Sequence, residues 1–345
     1  MPAMFTRDRC TFSGSLKRGF AVPHDLPDRP RRHTLKMMIS ASLMPLVGMS
    51  VTPVAGARGG EVDRDGRPRI GLALGSGGAR GLSHLLVFEA LEELGVRPHR
   101  ISGCSIGAIM GALYAAGLSA EEIRAGIDEL VADQDENWLQ TLMGGKWRQW
   151  LDFVQPSDRD GGLVESDAFI AHLRKETGVS RFGELEIPLQ IVATDYWKRE
   201  AVVFDSGALW PAVQASMAMP GLFSPVSYQD RVLVDGGLTN PVPFDLLAED
   251  CDVVVAVNVL GTREEGKDEA LRNPAYLDNI FNTFQVMQYS ILQEKRRREE
   301  PDILISPAIR DIRVLDFHRV DTILEQARPE VDILRDELRE RLAEW

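Results

Sequence analysis

From Arg69 onward, short apolar runs alternate with helical hydrophobic periods, and this alternation predicts an α/β fold. Strands are predicted at 69–74, 189–195, 201–206, 231–237, 252–260 and 302–307, and a further short strand leads into Ser105. Several of these runs consist almost entirely of Val, Ile and Leu, which is typical of strands that are buried on both faces. Because helical segments separate the strands, we expect a mostly parallel sheet with helices covering both faces.

Helices are predicted where apolar residues recur at helical spacing, at 82–95, 106–117, 119–133, 275–300 and 319–344. The helix at 119–133 has the clearest start, because Ser119 and Glu122 have the spacing of a capping box. The last helix contains Pro329, and a proline inside a helix removes a backbone hydrogen bond. We therefore expect a break at Pro329.

Residues 1–57 do not follow the α/β pattern. The basic stretch Arg31 to Lys36 precedes an interrupted apolar run, which ends in the small-residue pattern Ala55-Gly56-Ala57. This order predicts an export signal and a disordered N-terminus over 1–57, a linker over 58–68, and a periplasmic or secreted protein. The stretch "RRHTLK" also resembles a twin-arginine signal. The alternatives are a short signal that starts at Met37 or Met38, and a cytoplasmic or membrane-associated protein.

Composition and charge narrow the classes of partner. Hydrophobic residues make up 44% and charged residues 26% of the 345 residues, as in soluble globular proteins. The net charge is −13, although residues 1–60 carry more basic than acidic side chains. An acidic body disfavours nucleic acid as the main partner. Asp and His do not cluster at metal-ligand spacings, so we expect neither a metal nor another cofactor.

The first motif that carries chemistry is the loop "GSGGARG", Gly75 to Gly81, between a predicted strand and a predicted helix. Its glycines allow a sharp turn that leaves backbone N–H groups exposed next to a helix N-terminus, and such a loop holds a phosphate or an oxyanion. Ser76 and Arg80 stand where a dinucleotide fingerprint requires glycine, and no Gly-Lys-Ser/Thr follows as in a Walker A loop. An anion-binding loop is therefore favoured over a nucleotide site, with a purely structural turn as the alternative.

The second motif is Gly103-Cys104-Ser105-Ile106-Gly107, again between a strand and a helix. A nucleophilic serine at such a turn adopts strained backbone angles, so small residues are required on both sides. The helix N-terminus that follows helps to stabilise negative charge that develops at the site. Ser105 is therefore a candidate nucleophile, and the alternative is a small residue in a tight packing joint.

The third motif is Asp235-Gly236-Gly237, in which Asp235 is either a turn residue or a positioned carboxylate. A Ser-His-acid triad in the α/β-hydrolase order needs a late histidine, and only His318 follows Asp235. His84 and His172 lie on predicted helical segments, where we expect surface or helix-packing roles. The shortage of histidine favours a Ser–Asp dyad in which Asp235 accepts the Ser105 proton and partial burial raises the pKa of the carboxyl.

In this order, "GSGGARG", "GCSIG", "ASMAMPGLFSPV" and "DGG" resemble the motifs of the patatin-like phospholipase family, and in particular its bacterial branch with a GSGxARG-type loop. The resemblance covers about residues 69–248, which would form the catalytic domain, with a weaker similarity to about 321. It implies a three-layer α/β/α sandwich with a mostly parallel central sheet. Residues 249–345 would complete the sheet and add helices.

The resemblance also implies a role for each motif. Ser105 would be the nucleophile, Asp235 the base, and the region of Gly77, Gly78 and Arg80 the source of oxyanion-hole N–H groups. The supporting glycines would be Gly75, Gly81, Gly103, Gly107, Gly236 and Gly237. Ser76 departs from the commonest all-glycine form of the loop. The block from Ala215 to Pro220 would pack near the site.

The resemblance thus implies a serine acyl hydrolase that cleaves fatty-acyl esters of lipids through an acyl-enzyme, such as a phospholipase A, a lysophospholipase or an esterase. Its partners would be a lipid or ester substrate and, through peripheral contact, a membrane. One alternative is an acyltransferase that uses the same dyad with an alcohol acceptor. Another is a catalytically weak regulatory or binding protein of the same fold, against which the intact Ser105 and Asp235 speak.

Two further segments have more than one interpretation. Residues 136–156 combine Trp138, Trp147 and Trp150 with Lys and Arg, as an interfacial lid that meets lipid would, but a helical pair that packs its aromatics inward is favoured. Lys295 to Arg298 close a predicted helix, and cations at a helix C-terminus are favoured over a lipid-headgroup patch.

Overall fold

The computed structural model describes residues 68–132, 166–261 and 276–345. The predicted export signal, the linker up to residue 67 and the segment 136–156 lie outside these ranges. The described strands are β1 (Ile70–Leu74), β2 (Arg100–Cys104), β3 (Leu189–Asp195), β4 (Glu200–Phe204), β5 (Val226–Tyr228), β6 (Arg231–Asp235), β7 (Val253–Val257) and β8 (Ile303–Ile305). The described helices are α1 (His84–Glu93), α2 (Ile106–Ala115), α3 (Ala120–Ala132), α4 (Asp167–Thr177), α5 (Leu209–Ser216), α6 (Tyr276–Arg296) and α7 (Val320–Ala343).

All of these strands belong to one mixed sheet. Its order is β5-β6-β3-β2-β1-β7-β8, and β4 pairs with β3 outside this path. The pairs among β1, β2, β3, β7 and β8 are parallel, whereas the pairs made by β4, β5 and β6 are antiparallel. The predicted, mostly parallel sheet is therefore confirmed.

Alternate residues of the central strands are buried on opposite faces of the sheet. Leu72 and Leu74 of β1 pack in a large apolar core with residues of α1, α2 and α7. Ala73, between them, packs in a smaller core with Phe244 and with Leu292 of α6. The sheet therefore lies between two helical layers of unequal size, which explains its continuous apolar runs.

The ends of two predicted helices can be compared with the structure. The capping box is present at the start of α3, where Ser119 N–H donates to Glu122 Oε2 at 2.8 Å and Glu122 N–H donates to Ser119 Oγ at 3.2 Å. The break predicted at Pro329 is wrong, because α7 continues through this residue. Ala327 and Val331, on either side of the proline, are both buried in the main core, and this packing offsets the hydrogen bond that the proline removes.

Two strands share one edge of β3, end to end. The strand β4 pairs along Ile191–Asp195 of β3, while β2 pairs with the first part of β3 and β6 with its last three residues. Because β4 occupies the opposite edge, β2 and β6 lie on the same one. Cys104 of β2 is paired with Val192, and Asp235 of β6 is paired with the next residue, Ala193. The C-terminal ends of β2 and β6 therefore meet, which brings the residue after Cys104 next to Asp235.

The helix that follows β2 lies very close to the neighbouring strand. A Cβ on Gly107 of α2 would be 2.1 Å from the carbonyl oxygen of Leu74, and a Cβ on Gly103 would be 2.5 Å from the carbonyl oxygen of Gly107. Both contacts are with backbone atoms, which cannot move aside as the end of a side chain can. The two glycines that flank Ser105 are therefore required by the close packing of α2 on the sheet.

We predict that Gly107→Ala lowers the melting temperature by roughly 5–10 °C, because the added Cβ forces α2 away from β1. Gly126→Ala is the matched control, since Gly126 of α3 has no atom within 4 Å of the position of a Cβ. The melting temperature of Gly126→Ala should equal that of the wild type or be slightly higher. Equal melting temperatures of the two variants in thermal denaturation would contradict the packing described here.

Candidate active site

Ser105 lies at the sharp turn between β2 and α2. Its φ is 55° and its ψ is −120°, a conformation that non-glycine residues rarely adopt and that costs about 1–3 kcal/mol. Its backbone N–H donates a hydrogen bond of 2.9 Å to Ser216 Oγ, and this hydroxyl donates in turn to the carbonyl oxygen of Val192 at 2.6 Å. Ser216 belongs to the block that the resemblance predicts near the site, and it fixes the strained turn to β3.

The Ser105 hydroxyl donates a hydrogen bond of 2.8 Å to Asp235 Oδ2. The other carboxylate oxygen, Oδ1, accepts a hydrogen bond of 2.7 Å from the N–H of Gly237. Asp235 is buried, and this burial raises the pKa of its carboxyl to about 6, although both hydrogen bonds act in the opposite direction. At neutral pH the carboxylate is therefore ionised, yet it binds a proton more readily than an exposed aspartate does.

The glycine loop lines the same cavity as Ser105. Ser76, Gly77 and Gly78 contribute to the cavity wall. Within the described ranges, no acceptor is bound to the N–H groups of Gly77 and Gly78, whereas the N–H of Ala79 donates to a backbone carbonyl. Arg80 is not part of the cavity wall, and its guanidinium donates to the carbonyl oxygen of Leu260 at 3.1 Å. Of the three residues predicted to form the oxyanion hole, the two glycines thus lie at the site.

The cavity beside Ser105 has a volume of about 150 Å³ and is lined mainly by apolar side chains. They come from α2, from α4 and from the loop that follows α5, and include Ile109, Leu113, Phe169, Leu173, Met219 and Phe223. An apolar cavity of this size can hold a molecule as large as benzene. The site therefore joins one polar end, at Ser105 and Asp235, to an apolar chamber.

Among the residues that the structure describes, no histidine lines this cavity. His318 is exposed and His172 is half-buried on α4. His84 is fully buried, and its Nε2 lies 3.1 Å from the carbonyl oxygen of Gly75. Since a carbonyl only accepts, Nε2 carries a proton, and burial lowers the pKa of His84 to about 4, so the ring is neutral. His84 therefore supports the glycine loop from behind, a role that helical spacing alone does not indicate.

Cys104 is adjacent to Ser105 but is a poor candidate nucleophile. Its side chain is buried and free, and burial raises the pKa of the thiol. The thiol is therefore protonated at neutral pH, while the reactive form of cysteine is the thiolate. Cys251, the other described cysteine, is also buried and free.

Helix α6 brings Gln288 to the cavity wall and Lys295 to the segment that follows Asp235, and no sequence motif marks either residue. Gln288 donates from Nε2 to Ser76 Oγ at 3.2 Å within the cavity wall. Lys295, expected as a helix-end cation, turns inward, and its Nζ donates to Asp245, to Asn240 Oδ1 at 2.5 Å and to a backbone carbonyl. Their spacing of seven residues places them on one helix face, which is the only sign of these contacts in the sequence.

The neighbouring arginines behave as the sequence predicts. Arg297 and Arg298 are exposed and form ion pairs with Glu294 at 3.1 and 3.2 Å, near the C-terminus of α6. Exposed pairs of this kind contribute little to stability. The basic cluster thus divides into one half-buried residue, Lys295, that is bound to neighbouring elements, and a set of surface cations.

Comparison with known proteins shows the family. The family model described as patatin-like phospholipase matches residues 72–248, which is more than half of the chain. This match includes Ser105, Asp235 and the whole glycine loop. The chain belongs to the patatin-like phospholipase family, and the resemblance drawn from the motifs is confirmed.

Individual relatives are similar over the same region. An uncharacterized NTE family protein of Mycobacterium tuberculosis is 34% identical over 196 residues, which are 56% of this chain and 50% of that protein. Lysophospholipase NTE1 of Candida glabrata is 31% identical over 191 residues, which are 55% of this chain and 10% of that protein. The chain therefore spans about half the length of the first of these relatives and a small part of the second.

Solved structures show a broad likeness. VipD from Legionella pneumophila has a TM-score of 0.40 and 16% identity, covering 79% of this chain and 69% of that one. The type III effector ExoU has a TM-score of 0.38 and 17% identity, covering 79% of this chain and 53% of that one.

We predict that Asp235→Asn makes the folded protein more stable at neutral and alkaline pH. Because the pKa of Asp235 is raised in the folded state, the folded carboxyl keeps a proton that the unfolded chain has already released, so stability falls as the pH rises from about 4 to about 6. Asparagine does not ionise, so the Asp235→Asn variant does not lose stability as the pH rises. Melting temperatures measured across this range should separate above about pH 6 and converge below about pH 4. A constant difference at every pH would contradict the burial of an ionisable carboxyl.

Proposed function

We propose that the protein is a serine acyl hydrolase that cleaves fatty-acyl esters of lipids, with Ser105 as the nucleophile and Asp235 as the base. The observation that carries this proposal is the 2.8 Å hydrogen bond from the Ser105 hydroxyl to a buried carboxylate. Membership of the patatin-like phospholipase family supports a lipid substrate, as does the name of the lysophospholipase to which the chain is similar. The apolar chamber next to Ser105 suits the part of a fatty-acyl chain that lies next to the ester.

The proposed reaction has two halves. Ser105 Oγ attacks the ester carbonyl carbon while its proton passes to Asp235 Oδ2, and the carbonyl oxygen becomes an oxyanion that the N–H groups of Gly77 and Gly78 stabilise. The ester C–O bond then breaks, the leaving alcohol takes the proton from Asp235, and the acyl group stays on Ser105. In the second half, water attacks the acyl carbon and gives a proton to Asp235. The fatty acid leaves as Ser105 regains that proton.

A carboxylate is a suitable base here because of its surroundings. Proton transfer is most effective when the pKa of the base lies near the working pH, and burial moves the pKa of Asp235 from the ordinary aspartate range to about 6. The hydrogen bond from Gly237 holds the carboxylate in position by its second oxygen. The proposal therefore requires no imidazole between Ser105 and the acid.

We predict that Ser105→Ala lowers hydrolysis of phosphatidylcholine and of a soluble fluorogenic ester by at least about 1,000-fold. Ser227→Ala is the control, since Ser227 is exposed on β5 and should retain wild-type activity. In the wild type, kcat/KM should rise with pH through a midpoint near 6, as Asp235 loses its proton. Equal hydrolysis by wild type and Ser105→Ala would reject the proposed function, and full activity of Asp235→Asn would reject the base.

We further propose that the turn between β3 and β4 is the part of the described chain that contacts the lipid surface. Tyr196 is 50% exposed and Trp197 is 74% exposed at this turn, and two cations, Lys198 and Arg199, follow them. Aromatic rings beside basic residues are typical of surfaces that lie at a lipid–water interface. Among the described helices, none is both long enough and apolar enough to cross a membrane.

The turn is held in a fixed shape, so the exposure of its aromatic residues is built into the fold. The buried Asp195 accepts hydrogen bonds at Oδ1 from the N–H groups of Trp197 and Lys198, at 3.1 and 3.0 Å. The rings of Tyr196 and Trp197 contact each other edge to face, with centroids 4.9 Å apart. Strand β3 runs three residues past the last residue of β2, so the turn projects roughly 10 Å beyond the end of β2. This is the end of the sheet at which Ser105 lies.

We predict that Trp197→Ala weakens binding to phosphatidylcholine vesicles by roughly tenfold, measured by co-sedimentation, because the largest apolar group of the turn is lost. Trp345→Ala is the matched control, since Trp345 is also exposed but lies at the C-terminus. Both variants should hydrolyse a soluble ester at the wild-type rate. Equal vesicle binding by both variants would contradict the assignment of this turn to the lipid surface.

A further inference from the structure

Helix α6 lies outside the residues that the family model matches, yet it forms one wall of the cavity at Ser105. Phe284, Gln285 and Gln288 of this helix line the cavity. Gln288 is only 7% exposed, although an amide is costly to bury without partners. Its position in an otherwise mainly apolar wall calls for a polar function.

The Gln288 amide lies between the two loops that carry the site. Its Nε2 donates to Ser76 Oγ of the glycine loop at 3.2 Å. If Gly237 carried a Cβ, that atom would be only 2.1 Å from Gln288 Nε2. The same Cβ would be 3.0 Å from Asp235 Oδ1 and 3.0 Å from Ser76 Oγ. Because Gly237 has no side chain, the Gln288 amide can occupy the space where a Cβ of residue 237 would lie.

Ser76 is connected to both loops as well. Its backbone N–H donates to the carbonyl oxygen of Pro241 at 2.8 Å, in the segment that follows Asp235. Its hydroxyl accepts a hydrogen bond from Gln288, and the next two residues, Gly77 and Gly78, line the cavity. A shift of Ser76 therefore moves the N–H groups of these two glycines relative to Ser105.

We propose that Gln288 is a positioning residue that, through Ser76, holds the N–H groups of Gly77 and Gly78 at the place where the oxyanion forms. This inference rests on the proposed function, because it assigns those N–H groups to the oxyanion. It also gives the hydroxyl of Ser76 a function in a loop that otherwise consists mainly of glycine. The Ser76 hydroxyl is the group that Gln288 holds.

The chemistry of the position favours glutamine. Leucine would fill the same space but leave the Ser76 hydroxyl without its buried partner. Glutamate would place a second negative charge beside the Asp235 carboxylate, and two like charges in a buried site repel each other strongly. The half-buried Lys295, on the same face of α6, binds the helix to Asn240 and Asp245 and so helps to hold Gln288 in place.

The test compares Gln288→Leu with Gln293→Leu in the full chain, using a soluble fluorogenic ester. Gln293 is the matched control, because it is half-buried on the same helix, is not part of the cavity wall and has no side-chain hydrogen bond to any described residue. Gln288→Leu should lower kcat by about 10- to 100-fold with KM within about twofold, since oxyanion stabilisation acts in the transition state. The midpoint of the pH profile should stay at the wild-type value. Gln293→Leu should retain wild-type kcat.

A double-mutant cycle with Ser76→Ala tests the route through Ser76. The double variant Ser76→Ala, Gln288→Leu should have the same kcat as the less active of the two single variants, because both substitutions break the same connection. The proposal is overturned if the two losses multiply, if the loss in Gln288→Leu falls on KM alone, or if Gln288→Leu equals Gln293→Leu. Should Gln288→Leu fail to fold, a wild-type kcat in Ser76→Ala overturns it. Ser105→Ala is measured alongside, and only equal hydrolysis by it and the wild type rejects the proposed function itself.

Discussion

The shared edge of β3 is the constraint on which the rest of the site depends. Because β2 and β6 pair with this edge one after the other, their C-terminal ends meet, and Ser105 is placed next to Asp235. Helix α2, which follows Ser105, packs so closely on β1 and β2 that glycine is required at Gly103 and Gly107, where backbone lies against backbone. The strained turn at Ser105 is then held by Ser216, from the helix that packs over the same strands. The 2.8 Å hydrogen bond between Ser105 and Asp235 follows from the arrangement of the strands.

A site with a carboxylate as base must keep that carboxylate poorly solvated. Burial does this for Asp235, and the hydrogen bonds from Gly237 and Ser105 limit the cost by giving both oxygens a partner. The same burial makes the ionised residue a burden on stability at neutral pH, as is common where function requires a buried charge. As the pH rises through the pKa of Asp235, the stability of the folded protein therefore falls while the proposed activity rises.

The parts of the fold and of the site that the residues themselves predict are those defined by local pattern, whereas the pairing of Ser105 with Asp235 was implied by the family resemblance. The order strand, glycine, serine, glycine, helix marks Ser105, and the capping box marks the start of α3, because both depend on residues that are near each other in the chain. The contacts of His84, Gln288 and Lys295 were not predicted, since each of their partners is brought close only by the fold. The same reason explains Pro329, where tertiary packing on both sides keeps a helix continuous against local preference.

The most direct test of the central claim is to look for the acyl group on Ser105 during turnover. Rapid acid quench of the wild type with a lipid ester, followed by proteolysis and mass spectrometry, should find the peptide that contains Ser105 increased in mass by the fatty-acyl group. The modification should be absent from Ser105→Ala and strongly reduced in Asp235→Asn. Turnover by the wild type with Ser105 unmodified, or with the acyl group on another residue, would contradict the assignment of Ser105 as the nucleophile.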